Sequence, residues 1–178
     1  MAASQHHLSL SGNNTPNESG QATLEFAIVA LLMLLLFFVT VDFGRAIYDI
    51  EVMSGLTRQG SNLASRGSDL STSATAVVSG DSPLDLTHNG EVVITSVTNI
   101  NRINTITGQV SLGGISQNSR VGKGIGSRAS VPTAATTMLQ PNQTIYITEV
   151  FYSFRPVTPI ANVLHTVMPS ILYQAAYF

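Results

Sequence analysis

The hydrophobic pattern of this chain is uneven, and its densest part lies near the start. From Phe26 to Val41 sixteen residues pass without a charge, and the stretch "LLMLLLFFV" would be apolar on every face of a helix. Counted from Ala22, a helix offers twenty residues before Asp42, a rise of about 30 Å, enough to cross a hydrocarbon core. A chain of 178 residues would not easily surround such a cylinder as a soluble core helix. A cleaved secretion signal would carry a basic front, a shorter apolar core and a small-x-small site. The front here has no Lys or Arg, and the run ends in "VTVDFGR". The pattern therefore predicts a retained transmembrane helix over residues 21–41.

Beyond Val41 the period changes. Phe43, Ala46 or Ile47, Ile50, Met53, Leu56, Leu63 and Ala64 recur at spacings of three and four, which suits an amphipathic helix over residues 42–66 with one side on a sheet. Asp42 with Arg45, and Arg45 with Asp49, are spaced for modest ion pairs. Gly44, Gly55 and Gly60 each weaken a helix by about 1 kcal/mol relative to alanine, so a bend or an early end is open. Residues 67–178 form the remaining domain. After Arg66 the Ser/Thr-rich texture fits either a loop or a short helix at Ser71 to Val78. Runs rich in β-branched and aromatic residues then predict strands at Glu91–Thr98, Gln109–Ile115 and Thr144–Phe154, with a last edge strand at Ile171–Phe178. A long N-terminal helix followed by antiparallel strands is an α+β layout.

Composition narrows the chemistry. Net charge is −2 with 10% charged residues, so nothing points to nucleic acid. Cysteine is absent, which excludes disulfides, thiolate metal sites and cysteine nucleophiles. Residues 1–20 read as a polar, irregular leader; His6 and His7 could suggest a metal site or part of a tag, and are read instead as part of a solvated disordered tail. His88 and His165 lack a second ligand at zinc spacing, and no G-x-S-x-G elbow occurs. Neither an enzyme nor a cofactor is expected. Glu149 interrupts the Ile145, Ile147, Phe151 face of its strand. It is read first as solvent-exposed or paired with Arg155, and second as a buried functional carboxylate. The stretch Gly113–Ser130, with Arg120, Lys123 and Arg128, hints at phosphate binding but has no P-loop pattern; a mobile basic loop or a partner-contact loop fits it.

One residue does not suit a bilayer. Glu25 stands near the start of the apolar run, where a charge costs about 2.5–3.5 kcal/mol on insertion scales. It could snorkel at the interface, where a helix N-terminus favours negative charge. Its surroundings suggest more. A polar leader ends in Gly20, four residues follow, then Glu25, Phe26 and the apolar helix, and this resembles the processing region of type IV pilin-like proteins. The resemblance implies removal of the leader by a prepilin peptidase between Gly20 and Gln21. The new amine would lie one helical turn from Glu25, on the same face. The stretch "VDFGRAIYDIEVMSGLTRQGSNLAS", residues 41–65, resembles the juxtamembrane region of TadE-like proteins, minor pseudopilins of the tight-adherence pilus machinery. Asp42, Phe43, Gly44 and Arg45 match that family's acidic, aromatic, Gly, Arg order, although glutamate is commoner at the first position. "PNQTIYITEVFYSFRPVTP", residues 141–159, is similar to the family's later strand.

The resemblance implies a pilin-like fold and a part in pilus assembly. It implies partners: the peptidase, other pseudopilins and pilins, an inner-membrane assembly platform, and the lipid bilayer. The location implied is the bacterial cytoplasmic (inner) membrane, single-pass, with the C-terminal domain extracytoplasmic or incorporated in a pilus. Charge bias opposes that topology, since Arg45 and Arg58 follow the span and no Lys or Arg precedes it. The alternative function is an uncleaved, signal-anchored extracytoplasmic binding or sensing protein.

Overall fold

The computed structural model describes residues 18–132, 135, 139–159 and 169–178. Its first element is the helix α1, Glu18–Ser65. Then come α2, Leu70–Ser79, and a short α3, Leu86–Asn89. Four strands complete the order: β1 Gly90–Ile100, β2 Ile103–Gly113, β3 Thr144–Ser153 and β4 Ile171–Tyr177. They form one antiparallel sheet in the order β2-β1-β3-β4, an α+β arrangement as expected. The chain divides into two units at Phe37/Phe38.

In the first unit the apolar side chains of α1 are uncovered: Leu24, Phe26, Ile28, Val29 and Leu31 to Phe37 are all exposed. A soluble core helix would be covered, so this segment is a candidate membrane anchor by length and composition.

In the second unit α1 lies on the sheet. Ala46, Met53, Leu56 and Ala64 share a buried core with Ala74 and Val77 of α2 and with Val92, Ile94, Val150, Phe154 and Leu172. Alternation along the strands sends Val92, Ile94 and Val150 to the helix side. The predicted stripe holds at Ala46, Met53, Leu56 and Ala64, whereas Phe43 and Ile47 are exposed. The three glycines do not end the helix. Gly60 sits where a Cβ would come within 2.8 Å of the Thr148 hydroxyl and 3.0 Å of Val77, so it lets α1 approach β3 closely. Beside it, Ser61 Oγ donates to the Ala176 carbonyl at 2.8 Å and accepts from the Thr148 amide at 3.0 Å, fastening the helix to the paired strands.

The reading of residues 71–78 as a helix holds as α2, whose Asp69 cap accepts from the Ser71 amide at 3.0 Å. Strand β2 departs from expectation. It starts at Ile103 rather than Gln109 and stops at Gly113, because a two-residue turn at Asn101–Arg102 folds it directly back on β1.

On the opposite face of the sheet a second core gathers Val97, Ile106, Val121, Ala129, Ala135, Leu139, Ile145 and Ile147. The stretch after β2, expected as a mobile basic loop, is the cover of this face. Arg128 forms a bridge with Thr105, and the Ile106 amide donates to the Ser127 carbonyl at 2.9 Å.

Candidate functional site

The residues singled out in the sequence fall into two groups along α1. Gly20, Gln21, Glu25 and Phe26 lie in its first turns and are exposed. The four-residue spacing puts Gln21 and Glu25 on one face, and Gln21 Nε2 donates to Glu25 Oε1 at 3.0 Å. The remainder of the leader, with His6 and His7, lies outside the described residues, as does His165.

The second group behaves differently. Asp42 is completely buried, and a buried carboxylate needs donors to offset lost hydration. The expected pairing with Arg45 gives way to two other donors. Asp42 Oδ1 accepts from the Val157 amide at 3.0 Å, and Oδ2 accepts from the Thr158 hydroxyl. Phe154 is buried in the same core as Ala46. The two stretches that resemble one family, 41–65 and 141–159, therefore meet through the first residue of the motif. Phe43, Gly44 and Arg45 are exposed, and a Cβ on Gly44 would meet nothing within 4 Å.

Arg45 lines a cavity of about 240 Å³ with Asp49, Tyr152 and Arg155, among others. Burial raises the Asp49 carboxyl above the ordinary carboxylate range, and the Arg45 charge opposes the rise. The Tyr152 phenol is also raised, first by burial and then by the negative charge of Asp49.

On the far face of the sheet Glu149 overturns its first reading. It is fully buried rather than exposed, and Arg155 is not its partner. Its Oε1 accepts from the Arg120 amide at 2.8 Å and from the Tyr173 hydroxyl at 3.0 Å, while Oε2 accepts from the Ser119 hydroxyl. The Arg120 guanidinium lies 3.7 Å from the centre of the Tyr173 ring, a cation–π contact. Tyr173 is raised well above the usual phenol range, mainly by burial, then by the charge and hydrogen bond of Glu149, with Arg120 opposing. Glu91, two residues along the neighbouring strand from the partner of Glu149, repeats the device. It accepts from Ser111 Oγ at 2.6 Å and from the Gln117 amide. Two buried carboxylates thus tie residues 117–120 to the sheet. Among the described residues, no three His, Asp or Glu side chains converge as a metal site.

Sequence reasoning missed Thr158, Ser61 and the Glu91 anchor. The interrupted apolar face at Glu149 was the one available signal, and it was weighed toward the surface. Asp42 was found by motif, but its burial had no sequence signal.

Comparison with known proteins gives one result. Residues 20–61 match the family model described as TadE-like protein, the family that the motif pattern resembles. No curated protein matches the chain, and no solved structure does.

Proposed function

We propose, from the match of residues 20–61 to the TadE-like family, that this chain is a membrane-anchored component associated with a tight-adherence pilus. In finer detail it acts as a minor pseudopilin. The carrying observation is that the match begins at Gly20 and runs through the anchor and the Asp42 motif into the helix that lies on the sheet. A prepilin peptidase removes the leader after Gly20. The span of residues 21–41 then holds the chain in the inner membrane, with the α+β domain on the extracytoplasmic side. The new Gln21 amine meets a glutamate carboxylate, its own Glu25 or that of a neighbouring subunit, lowering the cost of keeping that charge at membrane depth. The chain does structural work and carries out no catalysis. Its partners are other pilins and pseudopilins and the assembly platform.

Mass spectrometry of the mature N-terminus, from cells with and without the peptidase, tests this. A start at Gln21 that depends on the peptidase is expected. An intact leader in both strains overturns processing and leaves a signal-anchored protein.

A further inference from the structure

Chemistry not yet assigned a role lies at the turn between β1 and β2. Arg102, Asn104, Arg128, Ala129, Ser130 and Val131 line a cleft of about 400 Å³. Two of the chain's eight basic residues therefore face one opening. Among the described residues the ion pair within 4 Å is His88 with Asp85, so neither guanidinium is neutralised by a carboxylate. Like charges sharing a cleft repel, and an anion between them removes that repulsion.

The backbone on both sides is fixed. Ile100 pairs with Ile103, leaving Asn101 and Arg102 as the two central turn residues, with φ of 53° and 66°. Such turns favour Asn-Gly, because φ is positive at both positions. An arginine at the glycine position is a strained choice, and strain of this kind clusters at functional sites. Across the cleft the Ala129 amide donates to the Asn104 carbonyl at 2.7 Å, and the Ser130 amide donates to the Val121 carbonyl at 2.6 Å. The two arginines thus rise from anchored backbone, and Asn104 and Ser130, which line the same cleft, carry further side-chain donors. The turn lies at the end of the sheet near Thr98 and Thr144, opposite the end that leads to Val157 and Asp42.

We propose that this cleft binds an oxyanion, a phosphate or similarly charged group, through Arg102 and Arg128. Guanidinium groups suit this, since each can give two parallel hydrogen bonds to such an anion. The group is carried either by a soluble molecule or by a lipid headgroup.

Isothermal titration of the full chain with inorganic phosphate, in nanodiscs of phosphatidylcholine at low salt, tests the proposal. Saturable binding is expected, weakened about tenfold or more by Arg102→Gln or Arg128→Gln and unchanged by Arg66→Gln. Circular dichroism melting checks that each variant is folded, and Lys at either position should restore part of the affinity. Adding a short-chain phosphatidylglycerol below its micellar concentration as competitor, with the nanodiscs kept phosphatidylcholine, separates the sources: displacement of phosphate supports a lipid headgroup, and no displacement supports a soluble oxyanion. Absence of binding, or folded Arg102→Gln and Arg128→Gln variants that bind like the parent, overturns the proposal.

Discussion

Asp42 accepts a hydrogen bond from the hydroxyl of Thr158, 116 residues further along the chain. With the Val157 amide as second donor, the motif carboxylate joins α1 to the segment that follows β3. An acid at this position thus has a role in the fold of the domain, besides any role in assembly.

Removing one side of this contact tests that role. Asp42→Ala should cost about 2–3 kcal/mol, because the Val157 amide and the Thr158 hydroxyl lose their charged acceptor. Thr158→Val should cost less, about 1–2 kcal/mol. In a double-mutant cycle the two losses should be clearly less than additive. Urea unfolding of the chain in detergent, followed by near-UV circular dichroism, reads all three variants. Full additivity would mean that the contact contributes nothing.

Two glycines in one helix should respond in opposite directions. At Gly55 a Cβ meets nothing within 4 Å, so Gly55→Ala should stabilise α1 by about 0.5–1 kcal/mol through helix propensity. At Gly60 the same change drives a methyl into Thr148 and Val77, and overpacking of this kind costs about 1–3 kcal/mol. Midpoints of thermal unfolding should therefore move up for the first and down for the second.

These residues also mark what could be read in the sequence. The long apolar helix, the helical stripe and three of the four strands follow from local periodicity, which one sequence displays directly. Strand β2 was misplaced because Ile103–Gly108 lacks a strong apolar run, and only the turn at Asn101–Arg102 fixes its start. Gly60 looked like a weak point of a helix and is a point of close approach, a fact that depends on Thr148 across the core. Glu149 looked like a surface residue because its donors, Ser119, Arg120 and Tyr173, come from a distant loop and another strand. Pairings across such separations leave no periodic trace. Gly20 and Glu25 were singled out by resemblance alone, from their place between a polar stretch and a long apolar helix.

The Tyr173–Glu149 pair predicts an alkaline response. The phenol is raised in the folded protein, so the fold prefers its neutral form. Its contribution is complete below about pH 10, the ordinary phenol value. It is lost as pH climbs from there through the folded value, because the unfolded chain releases the proton first. Of the five tyrosines, Tyr173 should be the last to ionise in ultraviolet titration at 295 nm. Tyr173→Phe should cost about 1.5–3 kcal/mol at pH 7, the usual range for a hydrogen bond to a charged group. It should also flatten the fall in stability above pH 10. A parallel fall in both proteins would count against the pair.

The β1–β2 turn carries a conflict between stability and binding that one substitution can expose. Arg102 occupies a left-handed conformation at φ 66°, which costs a side chain with a Cβ about 1 kcal/mol or more relative to glycine. Arg102→Gly restores the Asn-Gly pair that such two-residue turns favour. It should therefore raise stability by about 1 kcal/mol in urea unfolding while weakening phosphate binding. Arg102→Gln keeps the backbone strain and removes the charge, so it should weaken binding without the gain in stability. If the glycine variant were more stable and bound phosphate as well as the parent, the arginine would have no part in the cleft. If it were less stable, the arginine side chain would be making packing contacts that outweigh the strain of its turn.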